Sequence, residues 1–488
     1  MGEGWAGSRC PPALAALCYP SPLMSEPSDK RYVLLVASLA SFQAAFMGSS
    51  VNIALPTIGK EFQMSAVAMG WIATSYLLAA AVGLLPFGRL ADLHGRRRTF
   101  AVGMATYALG SLLCALARSS AALIAFRVLQ GIGAAMLFST STALVASAFP
   151  REERGRALGW NVAAVYTGLS LGPVLGGVLT HRLGWRSLFL VNLPLGALLL
   201  ALILWKVRQE WAEFRGERFD WPGALIYGAG VVALMAGFGE LPDPLGFLLV
   251  LLGAAGLAGF GLWELRSPSP LVDLRVFRAN RTFTLSNLAA LINYAATSAV
   301  AFLVSLYLQY NRGLGPEAAG LVLVAQPILM TLSSPLAGRL SDRIQPRIVA
   351  SIGMGMTVVA LAFLAFLRAE TPLPLVAALL ALLGLSFGLF SSPNTNAVMS
   401  AVGSRLYGVA SGTLATMRAM GQMASMGVAM LLLALFLGEV PITEVNAPRF
   451  LESARVAFAV FSALCLVGVF ASLSRGNLAD RASPGKED

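Results

Sequence analysis

The sequence predicts an all-α polytopic membrane protein, and three observations carry that prediction. Of the 488 residues, 57% are hydrophobic and only 12% are charged, whereas roughly a quarter of the residues are charged in soluble globular domains. Mean hydropathy is +0.73. Apolar runs of about 20 residues, the length that crosses a bilayer core, follow one another along the chain. The sequence lacks the alternating pattern of about ten residues that is typical of membrane-barrel strands.

Fourteen apolar segments are long enough to span the bilayer as helices. They cover about residues 32–56, 67–87, 99–117, 121–149, 157–180, 187–206, 221–239, 245–265, 283–309, 317–337, 348–367, 374–398, 406–436 and 454–473. The pair at 221–265 is the least regular, because Gly and Pro interrupt its apolar pattern.

Basic residues are concentrated in every second break between the predicted spans. The breaks after the second, fourth and sixth spans hold Arg96–Arg98, Arg151–Arg156 and Lys206–Arg218. Basic loops favour the cytoplasmic side, and an even number of spans puts both termini there. The net charge of +11 is then a topology signal, and nucleic acid is not expected as a partner. We expect a multi-pass protein of a bacterial cytoplasmic (inner) membrane, with the lipid bilayer as its partner.

A repeated motif predicts two related halves. "GRLADLHGRRR" at Gly88–Arg98 follows the second span, and "GRLSDRIQPRI" at Gly338–Ile348 follows the tenth. A duplicated six-helix unit accounts for both copies if spans seven and eight are an insertion, and paired halves with a site between them are the architecture of alternating access. We expect a monomer. The predicted domains are a tail at 1–30, a bundle at 31–206, a linker with two inserted helices at 207–281, a second bundle at 282–474 and a cytoplasmic tail at 475–488. Met24 is an alternative start within the first tail.

No pattern in the sequence predicts an enzyme, a metal site or an ATP site. Gly168–Gly172 matches the G-x-S-x-G pattern of hydrolase nucleophiles, but Ser170 lies within an apolar span with no strand before it and no triad partners. His94 and His181 lie in separate polar breaks. The four cysteines also lack metal-ligand spacing: Cys10, Cys18, Cys114 and Cys465.

Four further short motifs accompany the repeat. They are "VNIALPTI" (Val51–Ile58), "RVLQGIGAA" (Arg127–Ala135), "GLSLGPVLGG" (Gly168–Gly177) and "RFDWPGAL" (Arg218–Leu225). Together, and in this order, the motifs resemble those of the major facilitator superfamily, specifically its fourteen-span drug:proton antiporter branch, over Lys30–Arg475. The resemblance implies the major facilitator fold, with two pseudo-symmetric six-helix bundles plus two inserted helices. It also implies a secondary exporter that works by rocker-switch alternating access.

The resemblance implies that the repeated loop is a conformational latch, which in this family closes the cytoplasmic side in the outward-facing state. The latch residues of the two copies are Gly88, Arg89, Asp92, Gly95, Arg96, Gly338, Arg339 and Asp342. The second copy has Gln345 where the first has Gly95. The alternative is a charged turn that only secures topology.

The resemblance also implies a coupling role for Arg127, with Gln130 and Gly131, in the fourth span. Burying an arginine inside a span costs free energy, so an arginine at such a position usually has a function. The alternative is that Arg127 only hydrogen-bonds neighbouring carbonyls and polar groups. Arg418 in the thirteenth span is the other buried cation.

The fifth span carries what resembles the family's antiporter motif. Gly168, Gly172 and Gly176 fall four apart and predict one smooth helix face for close packing. Pro173 removes a backbone hydrogen bond and bends the helix, and Gly177 completes the motif. A bent, tightly packed helix between the two halves suits a transporter that rocks.

The sequence departs from this branch in the first span. An aspartate commonly stands there five residues before the asparagine of the N-x-A-L-P block, and here Met47 stands five residues before Asn52. Every Asp and Glu lies in a break, a terminus or a span end, whereas a proton antiporter for cationic drugs usually needs a buried carboxylate. We therefore expect a small hydrophobic or lipid-like substrate, neutral or anionic, in preference to a lipophilic cation.

Polar residues at membrane depth are the candidates for a substrate cavity. They are Gln43, Asn52, Asn161, Tyr166, Asn293, Tyr294, Gln309, Gln326, Asn394, Asn396, Arg418 and Gln422. For any one of them, a helix-to-helix hydrogen bond is as good an explanation as substrate contact. No cofactor is expected, and a proton gradient stays open as the driving force. Proton-coupled multidrug efflux is the first alternative function, and a non-transporting sensor or envelope-assembly partner is the second.

Overall fold

The computed structural model describes residues 27–212, 216–272, 277, 280–402, 407–438, 440–443 and 445–475. The predictions for the first 23 residues and for Met24 lie outside this part of the chain. Within it, no residue is in a strand, and fourteen helices are long and apolar enough to cross a membrane. The predicted all-α fold with fourteen spans is confirmed.

We number the spanning helices α1 to α14 in chain order. Their bounds are α1 Pro27–Phe62, α2 Ala66–His94, α3 Arg96–Leu116, α4 Ser120–Ala148, α5 Arg151–Leu183, α6 Arg186–Leu190 with Asn192–Trp205, α7 Trp221–Glu240, α8 Pro244–Glu264, α9 Arg281–Thr297 with Val300–Leu306 and Tyr307–Asn311, α10 Pro316–Leu323 with Ala325–Arg343, α11 Pro346–Leu364, α12 Leu373–Ser400, α13 Tyr407–Leu437 and α14 Ala447–Leu473.

Several helices differ from the predicted spans at their ends or in their continuity. α1 runs to Phe62, past the predicted end at 56, because the helical ladder continues through polar residues beyond the apolar run. α9 is interrupted between Thr297 and Val300, where the sequence predicted one uninterrupted helix. Ser425 of α13 accepts a hydrogen bond of 2.9 Å from the Ala299 backbone N–H at this break. A neighbouring side chain thus satisfies a backbone group that the break would leave unpaired in lipid.

The helices form two groups whose principal contacts are three helix pairs. Within α1–α6, α1 packs along α5, and both α2 and α3 pack along α4; within α9–α14, α12 packs along both α10 and α11. We call α1–α6 the N bundle and α9–α14 the C bundle; the predicted domain boundaries themselves stay predictions. The bundles meet where α1 contacts α9, α5 contacts α10 and α2 contacts α13. We call the side on which α1 begins and α14 ends the basic face, and the other side the opposite face.

The inserted helices α7 and α8 pack on each other and against α2 and α13. Asp220, in the "RFDWPGAL" motif, caps α7 by accepting from the Gly223 N–H at 2.9 Å. Its carboxylate also accepts from Trp263 Nε1 at 3.0 Å and from Ser267 Oγ at 2.8 Å. This motif therefore ties the start of α7 to the end of α8 at the basic face.

Candidate functional site

The first contact between the bundles joins α1 to α9 in the half nearest the opposite face. Pro56 lacks an N–H, so the carbonyl of Asn52, four residues earlier, has no helical partner. Ser305 Oγ donates to that carbonyl at 2.8 Å, and Gln309 Nε2 donates to the carbonyl of Ile53 at 3.0 Å. The C bundle thus satisfies backbone groups that the bend in α1 exposes.

The second contact joins α5 to α10. A Cβ built on Gly177 would lie 2.5 Å from the Pro316 carbonyl oxygen and 3.0 Å from Glu317 Cα, so only glycine permits this approach. Gly320 in turn packs against the carbonyl of Pro173. At the rim, His181 Nδ1 and Glu317 Oε2 are 3.1 Å apart.

The third contact joins α2 to α13, where Thr74 Oγ1 donates to Met430 Sδ at 3.5 Å. Deeper in the membrane, Ser170 Oγ and Thr331 Oγ1 are 3.3 Å apart, near the middle of α5 and α10. The hydrogen bonds described above between the two bundles lie between this level and the opposite face. We call the three contacts the gate: α1 with α9, α5 with α10, and α2 with α13. The bundles are closed at the opposite face.

The span-5 glycines pack as the sequence predicts, on two different neighbours. Gly168 lies against the backbone of Phe42, Gly172 against Ser49 and Gly176 against Ser50, all on α1. Gly177 faces the other bundle instead. α5 therefore packs on α1 with one face and on α10, at the gate, with another.

The first latch loop contacts its own bundle and the linker that follows α6. Arg89 Nη2 lies 2.5 Å from Glu217 Oε2, and Arg96 Nη2 lies 2.7 Å from Asp92 Oδ1. Gly95 has φ +123°, and a Cβ there would lie 2.5 Å from the Glu210 carboxylate carbon. Glu210 also accepts from the Arg97 N–H at 2.8 Å. In this state of the protein, the carboxylates of Glu210 and Glu217 in the linker thus pair with groups of the loop.

The second copy of the latch is less completely described. Gly338 lies beside Ser392 of α12, and Arg339 is exposed. The side chain of Asp342 lies outside the described part of the chain. A latch role for either copy stays a prediction.

Arg127 is fully buried and well paired inside the N bundle. Its Nε donates to the Ile72 carbonyl at 3.0 Å, and its Nη1 donates to Gln130 Oε1 at 2.5 Å. Gln130 continues the chain to Ser111 Oγ at 2.7 Å, and the guanidinium carbon lies 4.3 Å from the Tyr76 ring centroid. Gly131 allows the close approach of α2, because a Cβ there would lie 2.5 Å from the Tyr76 carbonyl. These contacts favour the structural alternative, and the coupling role stays a prediction.

Arg418, in contrast, is only partly buried and partly hydrogen-bonded. Its side chain is only half-buried, its Nη2 donates to Thr395 Oγ1 at 2.6 Å, and its Nε is buried without a hydrogen-bond partner. The guanidinium carbon lies 5.7 Å from the Tyr294 ring centroid. No carboxylate of the described residues forms an ion pair with it. Arg418 is therefore a membrane-depth cation that the described protein groups leave incompletely satisfied.

The other polar candidates fall into three groups. Gln43 bonds the Asn192 carbonyl at 2.9 Å and Asn396 reaches Ser341 Oγ at 3.4 Å, so both link helices of one bundle, while Gln309 belongs to the gate. Buried amide groups with unpaired atoms are found at Asn161, Asn293 and Asn394. Half-buried side chains within the spans are found at Asn52, Tyr166, Tyr294, Gln326 and Gln422.

Met47, where the branch commonly has aspartate, is completely buried. Its Sδ accepts from Asn192 Nδ2 at 3.0 Å, so it packs between α1 and α6. Among the described residues, no Asp or Glu lies in the middle of a span: the carboxylates within helices, such as Glu61, Asp92 and Glu264, lie near helix ends. The buried core of the two bundles therefore holds cations without carboxylates.

Ser305, Glu210 and Glu217 were not predicted as parts of a site. A serine in an apolar span and a glutamate in a linker are ordinary residues for their positions. The freed carbonyl that follows from Pro56 was the one signal available, because it must find a donor from another helix.

Two bundles that meet at one face, around membrane-depth polar side chains, define a transporter of the alternating-access class. The Major Facilitator Superfamily model matches residues 37–283 and 286–487, so the chain belongs to that superfamily. The riboflavin transporter RibZ of Clostridioides difficile is 32% identical over 80% of this chain and 85% of its own. The multidrug resistance protein Stp of Mycobacterium tuberculosis is 36% identical over 80% of this chain and 73% of its own.

Further comparisons agree with this membership. The tetracenomycin C resistance and export protein of Streptomyces glaucescens is 30% identical over 85% of this chain and 79% of its own. A bacterial homologue of the human lysosomal transporter Spinster, crystallised inward-facing and unoccupied, covers 94% of this chain and 100% of its own with a TM-score of 0.70 at 16% identity, which supports the fold. The predicted resemblance to the drug-efflux branch is confirmed, and a non-transporting role is not favoured.

Proposed function

We propose that this protein exports hydrophobic and amphiphilic molecules across a bacterial cytoplasmic membrane, with neutral and anionic amphiphiles preferred over lipophilic cations. The observation that carries the proposal is the gate. It closes the opposite face, while half-buried polar side chains such as Tyr166, Tyr294 and Arg418 lie between the gate and the basic face. The substrate enters from the basic face, and export follows when the gate parts and the latch loop engages.

The charge preference follows from the groups at membrane depth. Arg127 is buried and Arg418 is half-buried within their spans, and no described span has a carboxylate at its centre. A positive interior of low dielectric raises the energy of a second cation and lowers that of an anion. Hydrophobic neutral molecules are not repelled, so they are accepted as well.

The test is transport by purified protein in proteoliposomes. The probes share one apolar tail and end in a carboxylate, a hydroxyl or a trimethylammonium group. We expect transport of the carboxylate and hydroxyl probes and little of the ammonium probe. Preferred transport of the ammonium probe would refute the charge preference, and transport of none of the probes by folded protein would refute the exporter itself.

Proton-coupled multidrug antiport is the second candidate, because relatives are named as a multidrug resistance protein and a drug efflux pump. In the same vesicles, a trapped pH-sensitive dye separates the two proposals. Proton movement with a fixed ratio to substrate supports antiport, and transport without proton movement supports uncoupled exchange between the two sides of the membrane.

We also propose that the basic face and both termini lie in the cytoplasm. One chain is the working unit, because it holds both bundles. A fluorescent protein fused after Asp488 should fold and fluoresce in cells, whereas a periplasmic alkaline phosphatase fused there should be inactive. The reverse result would invert the topology.

A further inference from the structure

Arg127 and Arg418 have opposite environments. Arg127 is 1% exposed and is paired with a carbonyl, a side-chain amide and an aromatic ring. Arg418 donates one hydrogen bond, to Thr395 Oγ1, and has a half-buried side chain and a buried Nε without a partner. Because an unpaired cation at membrane depth is costly, a retained cation of this kind indicates an anionic partner from outside the described protein.

The surroundings of Arg418 fit an anion that is attached to an apolar body. Tyr294 lies on one side of it, and the Tyr294 and Phe387 rings meet edge to face with centroids 5.2 Å apart. Asn394, one residue before Thr395, is 1% exposed with both amide atoms unpaired. A hydroxyl and an aromatic surface thus adjoin the guanidinium, and an unpaired amide lies on the same helix as Thr395, as in a site for an amphiphilic ligand.

The location of Arg418 connects the two bundles. Arg418, Thr395 and Tyr294 belong to α13, α12 and α9 of the C bundle. Two of these helices also contact the N bundle, α9 through α1 and α13 through α2. A ligand held at Arg418 therefore lies next to the surface along which the bundles move, on the side of the gate that faces the basic face.

We propose that Arg418, with Thr395 and Tyr294, binds the oxyanion head of the transported molecule, a carboxylate or a phosphate at the end of an apolar body. This inference rests on the proposed export function and names its substrate class. A guanidinium presents parallel N–H donors that match a carboxylate or phosphate. Thr395 holds Nη2, and Nη1 of the half-buried guanidinium makes no hydrogen bond to the described part of the protein and is the donor left for the ligand.

The test is binding to the full-length protein in nanodiscs, with four pyrene-labelled dodecyl probes that end in a carboxylate, a phosphate monoester, a hydroxyl or a trimethylammonium group. We expect the wild-type protein to bind the two anionic probes about tenfold more tightly than the hydroxyl probe, in the range of charge-assisted hydrogen bonds. The carboxylate and phosphate arms separate a fatty-acid-like head from a phospholipid-like head. Equal binding of all four probes by the wild-type protein would overturn the proposal.

Substitutions give the second arm of the test. Arg418→Gln should weaken the anionic probes about tenfold and leave the hydroxyl probe within about twofold, whereas Arg418→Lys should restore part of the anion preference. Thr416→Val, two residues before Arg418 on α13, is the matched control, because Thr416 Oγ1 donates to the Gly412 carbonyl of its own helix at 2.9 Å; it should leave the preference unchanged. An equal loss for all probes in Arg418→Gln would assign Arg418 a packing role and overturn the inference. If the hydroxyl probe is still transported in that case, the export function stands without the anion site.

Discussion

Ser305 Oγ donates a hydrogen bond of 2.8 Å to the carbonyl oxygen of Asn52, the carbonyl that Pro56 deprives of its helical partner. This bond joins the two bundles and exists only while the gate is closed. In the open state the same carbonyl must find another donor or remain unpaired. The proline in α1 thereby stabilises the closed gate as well as bending the helix.

Ser305→Ala removes this donor, and we expect the gate to open more often. A net hydrogen bond is worth about 1 kcal/mol, which is roughly a fivefold change in the ratio of closed to open molecules. Spin labels at Arg118→Cys and Glu370→Cys, both exposed at the opposite face, report the change as a longer distance distribution. Ser298→Ala is the control, because Ser298 Oγ bonds only the Tyr294 carbonyl of its own helix. An unchanged distribution in Ser305→Ala would remove this bond from the gate.

Gly177→Ala should prevent the gate from closing fully. The added Cβ would lie 2.5 Å from the Pro316 carbonyl oxygen, and overpacking of this kind costs about 1–3 kcal/mol. We expect transport in proteoliposomes to fall while the amount of folded protein stays the same. Gly159→Ala on the same helix meets no atom within 4 Å and should transport normally. Equal transport by both variants would contradict the close contact of α5 with α10.

Asp220→Ala should lower the thermal stability of the protein. The substitution leaves the Gly223 N–H, Trp263 Nε1 and Ser267 Oγ without their acceptor, and unsatisfied buried donors cost about 1–3 kcal/mol each. The measurement is the midpoint of thermal unfolding of the purified protein. Asp243→Ala is a matched control, because Asp243 precedes α8 but its side chain makes no cap bond. Similar midpoints for the two variants would mean that Asp220 does not anchor the inserted helices.

Arg127→Lys separates the two explanations of this arginine. A lysine ammonium cannot reproduce the two bonds, to the Ile72 carbonyl and Gln130, with the same planar geometry. The structural explanation predicts a lower unfolding midpoint and an equal loss of transport for neutral and anionic probes. A variant with wild-type stability that transports substrate without moving protons would instead assign Arg127 the coupling role.

The sequence was sufficient for the fold because its signals are local. Apolar length, the Arg-rich breaks and the repeated loop at Gly88 and Gly338 each depend on neighbouring residues, and the fourteen helices follow from them. The spacing of Gly168, Gly172 and Gly176 likewise predicted a packing face, and that face lies against α1.

The gate could not be predicted in the same way, because each of its contacts joins residues far apart in the chain. Gly177 differs from its neighbouring glycines only by a rotation about the helix axis, yet that rotation points it to α10 instead of α1. Ser305 has no sequence signal, since its partner is a backbone carbonyl. Arg127 and Arg418 look alike in sequence, and only their tertiary partners distinguish a paired cation from an incompletely paired one.

Cross-linking the gate tests the central claim, that substrate crosses because the two bundles alternate about it. Glu61 and Arg186 form an ion pair of 2.7 Å near the opposite face within the N bundle. In a chain without its native cysteines, Glu61→Cys with Arg186→Cys is therefore the control for His181→Cys with Glu317→Cys across the gate. The measurement is transport of the carboxylate probe before and after treatment with a short, reducible thiol cross-linker. We predict that transport stops when the gate pair is linked, returns on reduction and continues in the control pair. Continued transport with the gate pair fully linked would contradict the account.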